Sequence, residues 1–536
     1  MLTWDRIRRA LSRWGWDVAG AALAVVYGLP SLAYPFARDH PVHWYIARRL
    51  LVDGEMPYVS GISTKPPAVF AVHALSQILF GDHQYSIRIV DLAFVLVAGV
   101  LVATFRARRR APDGALWMPE RRPGEIGAAC LLVSIGHYTF FDFSDTAHPE
   151  LWQAVFMLAP AWVVVRAPDG VLTARAAFAA GALACTAVMF KHTAVLSGVV
   201  AGIAVVVLAI ARREPLRALR DAGAYTAGVA AVLALTILPF VLMGTFHAFW
   251  ELMVDYILNH YAAGAGDTTG VPPWLTLDHG LPAALTALAG LAVGFGVAGA
   301  ARDPRSRRVG LWILVITLTA AATVVIQKRA LYSFTFTYYF VVMTPFLALC
   351  TAFGLRQAFK RNGVAQLGVA LVLGAIFFAW APKGTHNKDW NYRREWTEWI
   401  EVVRGMRTRE SMLGAYYNSH IDSYVRQLRV AEVVLARKRD GDTLCVDGFI
   451  PILYHLTDMR CPSRFFVGDG AYSGPPEWRV EYETMMRERP PVFYVTFSDR
   501  PRKHRELEQL GYVRHRVADG GRPEYVVFER RVDGER

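Results

Sequence analysis

Long apolar segments, separated by short polar ones, dominate the first 383 residues of the 536-residue chain. A transmembrane helix needs about 20 consecutive apolar residues, which gives the criterion for a span. The pattern predicts a polytopic α-helical membrane protein with eleven spans. They cover residues 16–35, 86–105, 124–143, 148–165, 171–190, 194–211, 223–243, 280–300, 309–326, 336–355 and 364–382.

From residue 384 the pattern changes to short alternating segments. Thr443–Val446 and Val492–Phe497 are predicted strands, while Pro476–Arg489 and Arg502–Leu510 are predicted helices. We therefore expect a membrane domain over 1–383 and a small α/β domain over 384–536.

Charges in the short loops orient the predicted spans. With the N-terminus inside, the cytoplasmic segments hold 22 Lys and Arg residues, and the segments between spans on the opposite side hold seven. Positive charge favours the cytoplasmic side. An odd number of spans then places the C-terminal domain outside, which in a bacterial inner (plasma) membrane is the periplasmic or extracellular face.

Two outer loops are unusually long. The first, 36–85, contains the short amphipathic pieces His43–Val52 and Ala68–Phe80, which we expect to lie as helices at the interface. The second, 244–279, is rich in aromatic residues and glycine and is predicted to be flexible.

Composition excludes two classes of protein. The chain is 54% apolar and 19% charged, unlike an ordinary soluble or disordered protein. Its net charge is +13, but 384–536 holds 26 basic and 24 acidic residues, so the excess lies mainly in short loops of the membrane domain. Nucleic acid is therefore not an expected partner, whereas membrane lipids are.

Five cysteines are scattered along the chain. Cys445 and Cys461 fall in the predicted outer domain, where a disulfide or two free thiols are both compatible with the sequence.

The first outer loop gathers polar residues beside the membrane. It contains Asp39 just beyond the first span, Gly54-Glu55-Met56-Pro57-Tyr58, Lys65-Pro66-Pro67, Phe80-Gly81 and Ile87-Arg88. A carboxylate at this edge can act as a general base toward an outside acceptor. The alternative for Asp39 is a loop acid that caps the following helix.

This order of residues resembles the first outer loop of GT-C glycosyltransferases, especially bacterial relatives of protein O-mannosyltransferases and lipid A aminoarabinose transferases. The resemblance implies a GT-C-like fold, a polyprenyl-phosphate sugar as donor, Asp39 as catalytic base, and Lys65 as a contact to the donor phosphate. A lysine anchored at the interface is the alternative for Lys65.

Two positions depart from that family pattern. His40 replaces the acid that usually follows the catalytic Asp, and Thr64 replaces the Glu that often precedes Lys-Pro-Pro. The resemblance therefore does not extend to a contact made by that Glu, nor to aminoarabinose as the sugar.

Three further clusters have counterparts in the family. The resemblance implies Asp145 as an acceptor-side carboxylate, Lys191 as a phosphate contact, and Arg329 with Tyr338 as a late substrate-binding group. The alternatives are a helix-capping acid, a snorkelling lysine and interfacial anchoring.

A divalent metal ion is a further option for the site. The pairs His40 with His43, Asp145 with His148, and Asp255 with His260 have ligand chemistry but no diagnostic spacing. Hydrated loop residues are the favoured interpretation, and the resemblance leaves metal dependence open.

The sequence thus predicts a membrane glycosyltransferase that transfers a sugar from a polyprenyl-phosphate donor to a glycan, lipid or protein acceptor outside, with inversion at the anomeric carbon. The alternatives are a transporter or flippase for a lipid-linked or polar solute, and a non-catalytic scaffold. No internal repeat of the kind common in transporters is present.

Overall fold

The computed structural model describes most of the chain: residues 4–37, 39–107, 109–110, 116–117, 122–141, 143–168, 171–261, 304–331, 337–359, 362–380, 392–416, 424–467, 469–517 and 524–530.

Helices form almost all of the described membrane domain, as the apolar segments predict. The longer ones are Trp4–Gly28, Ser86–Ala103, Glu125–Phe140, Pro149–Val165, Ala174–Phe190, Val195–Ile210, Pro215–Leu242, Pro304–Leu331, Thr344–Ala358 and Gly363–Trp380. These coincide with ten of the eleven predicted spans, and the eighth, 280–300, lies outside the described residues. By length and composition alone, six described helices can cross a membrane, and the others are shorter apolar helices. The chain is a multi-pass membrane protein.

The first outer loop folds into the two short helices that its amphipathic pieces predict, His40–Asp53 and Pro67–Phe80. The first ends at Gly54, whose φ of +68° is the left-handed conformation that glycine adopts at helix ends. The second outer loop is described only up to residue 261. That part holds the short helix Phe246–Trp250 and a π-helix over Glu251–Tyr261.

Close approach of backbones holds the membrane helices together. A Cβ added at Gly20 would lie only 2.5 Å from the Cα of Gly127, so helices Trp4–Gly28 and Glu125–Phe140 cross at a pair of glycines. Small residues at such crossings let apolar helices pack where burial from water supplies little driving force.

The C-terminal region contains a four-stranded mixed sheet. In spatial order its strands are Leu444–Val446, Phe493–Phe497, Tyr525–Arg530 and Tyr512–Arg516. The first pair is parallel and the other pairs are antiparallel. The first two strands and the helices Pro476–Glu488 and Pro501–Gln509 match the prediction within about two residues. The last two strands were not predicted. Charged residues interrupt the apolar pattern of Tyr512–Arg516, whereas Tyr525–Arg530 begins with four consecutive apolar residues.

The remaining described elements are short. They are the 3₁₀ segments Leu29–Ala33, His192–Ala194 and Thr337–Met343, the strand pair Arg109–Arg110 and Leu116–Trp117, and helices Tyr392–Val403, Arg409–Tyr416, Tyr424–Leu435, Ile452–Thr457 and Asp469–Ser473.

The C-terminal region packs directly on the first outer loop. The rings of Tyr45 and Phe466 stack with centroids 4.4 Å apart, and the amide of Ile62 donates to the carbonyl of Arg464 at 3.0 Å. The same Arg464 holds Glu251 of the second outer loop through two hydrogen bonds of 2.8 and 3.0 Å. Both long outer loops therefore meet the C-terminal region.

Candidate functional site

Asp39 occupies the position just before helix His40–Asp53. Its backbone carbonyl accepts from the amide of Val42 at 3.1 Å, but its side chain makes no capping hydrogen bond. The carboxylate is partly buried and interacts electrostatically with His148, Lys191 and Tyr338. The helix-capping alternative for Asp39 therefore has no support in the geometry, and the side chain faces cations and rings from other elements.

Two lysines from separate loops converge on one tyrosine ring. The Nζ atoms of Lys65 and Lys191 lie 5.8 and 5.6 Å from the ring centroid of Tyr338, and Lys191 lies 4.4 Å from that of Tyr339. Within the described structure, no carboxylate forms an ion pair with Lys65. Its ammonium group can therefore pair with an anion brought by a ligand.

The loop that carries Lys65 is held by a strained tyrosine. Tyr58 is fully buried, its φ is +73°, and its hydroxyl donates to the Lys65 carbonyl at 2.9 Å. Ala147, immediately before His148, also has a positive φ, of 58°. Non-glycine residues persist in this region only when their surroundings enforce it, and such strain clusters at functional sites.

Lys191 ends helix Ala174–Phe190 and forms a buried ion pair with Glu150 at the start of helix Pro149–Val165. The other Glu150 oxygen lies 3.7 Å from Nδ1 of His148, too far for a hydrogen bond. That oxygen and the His148 nitrogen are both buried without a hydrogen-bond partner. Unsatisfied buried polar atoms are rare, so a cluster of them is consistent with a site that receives polar groups from a ligand.

The rings of His40 and His148 connect helix His40–Asp53 with the start of helix Pro149–Val165. Their ring centroids are 4.7 Å apart, and the His148 ring stacks on Tyr338 at the same distance. The amide of Ala37 donates to His40 Nδ1 at 3.0 Å. Burial, together with nearby Arg88 and histidines, holds the pKa of His40 well below its ordinary value. The low pKa disfavours a positive charge on the His40 ring.

Arg88, the last residue of the loop motif, fastens the first outer loop to the turn after helix Glu125–Phe140. It is fully buried and donates to the carbonyls of Pro35 and Phe143 at 2.9 Å each, and to the carbonyl of Thr146 at 2.8 Å. The sequence pattern contained Arg88 without indicating this role.

Asp145 and Arg329 are the two remaining predicted site residues. Asp145 is buried in the turn that Arg88 holds, beside Thr146. Arg329 belongs to helix Pro304–Leu331, but its side chain lies outside the described part of the structure.

Sequence reasoning missed a buried acid in each of two central helices. These acids are Glu150 in helix Pro149–Val165 and Asp91 in helix Ser86–Ala103. The Asp91 carboxylate contacts Nε2 of His137 at 2.8 Å and accepts a hydrogen bond from the indole of Trp152 at 3.2 Å. The sequence alone could have indicated both acids, because an ionisable residue inside an apolar membrane segment is energetically costly and is usually functional.

None of the three proposed metal pairs gains a third ligand in the described structure. Over those residues no group of three or more His, Cys, Asp or Glu side chains could hold a metal ion. Asp255 and His260 are both exposed.

Comparison with solved structures adds an independent result. ArnT from Cupriavidus metallidurans bound to undecaprenyl phosphate matches with a TM-score of 0.56 and 17% identity, over 97% of this chain and 99% of that one.

The chain has the fold of ArnT.

The apo form of the same ArnT gives a TM-score of 0.55 at 16% identity, over 96% of this chain and 97% of that one. The oligosaccharyltransferase AglB from Archaeoglobus fulgidus, in complex with an inhibitory peptide and a dolichol-phosphate, gives 0.43 at 11% identity, over 91% and 70%. No protein-family model matches the sequence, and no curated protein matches it. The match to ArnT confirms the expected polytopic α-helical fold, and the structure adds the expected small sheet at the C-terminal end.

Proposed function

We propose that this protein transfers a sugar from a polyprenyl-phosphate-linked donor to an acceptor at the outer face of the membrane. The observation that carries this proposal is the convergence of Lys65 and Lys191 on Tyr338, beside Asp39. The two cations are accompanied by two carboxylates, Asp39 and the Glu150 that pairs with Lys191. Cations beside a carboxylate in a partly buried site match a reaction that expels a phosphate and removes a proton. ArnT, whose fold the chain shares, was solved with undecaprenyl phosphate.

Lys65 and Lys191 would bind the donor phosphate. As the sugar leaves, negative charge grows on the phosphate oxygens, and preformed cations stabilise that charge most in a partly dry site. Glu150 holds Lys191 in place, while Lys65 has no described acidic partner. Arg329 is a further proposed phosphate contact, and Tyr338 would line the site between the lysines.

Asp39 would act as the general base. It would accept the proton of the acceptor hydroxyl or amine as that oxygen or nitrogen attacks the anomeric carbon. Attack from the face opposite the leaving phosphate inverts the anomeric configuration. We propose Asp145 as an acceptor-side residue, and the loop 244–279 and the C-terminal domain as the surfaces that shape the acceptor site.

The test compares envelope glycolipids and glycoproteins by mass spectrometry in a deletion strain complemented with wild type, Asp39→Asn or Asp440→Asn at equal expression. Asp440 is an exposed acid and serves as the matched control. Wild type and Asp440→Asn should restore a missing sugar mass, and Asp39→Asn should not. Equal restoration by Asp39→Asn would overturn the assignment of the base and favour a transporter or flippase.

A further inference from the structure

Cys445 and Cys461 meet in the interior of the C-terminal region. Both side chains are buried, and their sulfur atoms lie 3.2 Å apart. Cys445 lies in strand Leu444–Val446. Cys461 follows Arg460, which pairs with Thr443 in a parallel bridge and accepts a hydrogen bond from the Leu444 amide at 2.9 Å. The two cysteines therefore occupy neighbouring, hydrogen-bonded chain segments.

This backbone arrangement accommodates a disulfide. Adjacent extended chains lie about 4.7–4.9 Å apart, and disulfides join Cα atoms separated by about 4.4–6.8 Å. The sulfur atoms need to approach from 3.2 Å to about 2.05 Å, which side-chain rotation can supply.

We infer that Cys445 and Cys461 are joined by a disulfide in the mature protein. Each thiol loses a proton and one electron as the S–S bond forms. The two electrons and two protons pass, by thiol–disulfide exchange, to a protein disulfide of an oxidoreductase outside the cytoplasm, which is reduced to a dithiol. Because both sulfurs are buried in the folded chain, the exchange takes place during folding. This inference rests on the outer location of the C-terminal region in the proposed function.

The bond would fix the surface on which the first outer loop docks. The amide of Cys461 donates to the hydroxyl of Tyr45 at 2.9 Å, and Tyr45 also stacks on Phe466. Tyr45 belongs to helix His40–Asp53, which begins directly after Asp39. The disulfide thus fixes the chain segment around Cys461. That segment contacts helix His40–Asp53, and the proposed base, Asp39, directly precedes this helix.

Differential alkylation of the full chain in detergent tests the bond. The protein is denatured in isotopically light N-ethylmaleimide, then reduced and treated with isotopically heavy N-ethylmaleimide. Its peptides are then analysed by mass spectrometry. Cys445 and Cys461 should carry only the heavy label, whereas Cys130, Cys185 and Cys350 in the membrane helices should carry the light one. Light label on Cys445 and Cys461 in most molecules would overturn the inference.

Thermal unfolding provides a second readout. A reductant should lower the unfolding midpoint of wild type and of the control Cys185→Ser toward that of Cys445→Ser/Cys461→Ser, and should not change the double variant. An equal lack of response in all three proteins would contradict the bond. Both readouts are independent of sugar transfer, so a failure of the proposed activity and a failure of this inference are distinguishable.

Discussion

Two apolar helices that satisfy the same sequence criterion occupy different environments. Pro149–Val165 buries 14 of its 17 residues inside the protein, whereas Pro215–Leu242 buries four of its 28. The buried helix carries Glu150 near its N-terminal end, and the exposed helix presents Leu235 and Leu242 outward. Apolar composition thus identifies a membrane helix, but it does not distinguish a lipid-facing helix from one that supports a site. The extent of burial makes that distinction, since each helix contains one buried acid, Glu150 in the first and Asp221 in the second.

The largest expected effect is the loss of sugar transfer when Asp39 is replaced. Asp39→Asn should lower the rate of sugar transfer by about 10²–10⁴, the usual contribution of a general base. The measurement is turnover by the purified variant at saturating donor. The Asp440→Asn control should retain the wild-type rate, and a loss of less than threefold in Asp39→Asn would contradict the assigned role.

Lys191→Met should lower transfer by about 10²–10³, as removal of one charge-stabilising donor does in other enzymes. It also leaves Glu150 buried without its cation, so the variant should be less stable. The double variant Lys191→Met/Glu150→Gln removes both charges and should regain thermal stability without regaining activity. Recovery of activity in the double variant would mean that the ion pair has only a structural role.

Replacing one leucine in each of the two helices tests whether the helices are packed differently. Leu151 is fully buried, and Leu235 is 72% exposed. Leu151→Ala should destabilise the protein by about 2–5 kcal/mol, whereas Leu235→Ala should change stability by less than about 0.5 kcal/mol. Thermal unfolding in one detergent compares them, and similar losses would show that the two helices are not packed differently.

The smallest expected effect concerns the contact between the C-terminal region and the first outer loop. His455 packs against Phe36 and Trp44, and burial lowers its pKa to about 4. Between pH 6.5 and 4 the unfolded chain binds a proton at His455 that the folded protein does not bind. Stability should therefore fall as the pH decreases through this range.

The measurement for His455 is the unfolding midpoint against pH. His455→Gln should show a shallower decrease than wild type. His83→Gln, which changes a histidine of the first outer loop outside this contact, should follow wild type. Identical slopes in wild type and His455→Gln would show that His455 does not contribute.

The sequence predicted the helices and strands more completely than the contacts between them. The lengths of the apolar segments were sufficient to predict ten of the described helices, and the loop motif contained Asp39 and Lys65. The pairing of Glu150 with Lys191 could not be predicted, because it depends on how helices distant in sequence cross. Strand Tyr512–Arg516 was missed because it carries charged side chains at an exposed sheet edge. Strand Tyr525–Arg530 was missed although its first four residues are apolar and buried.

The most direct test of the central claim uses purified wild type, Lys65→Met and Asp39→Asn in lipid nanodiscs. Each is given polyprenyl-phosphate-linked sugars with a membrane extract as acceptor source, and the release of polyprenyl phosphate is measured. Wild type should release it and yield a product of inverted anomeric configuration. Asp39→Asn should bind the donor without turnover, and Lys65→Met should bind it weakly. Release by Asp39→Asn at the wild-type rate, or a product that retains the donor configuration, would contradict the account.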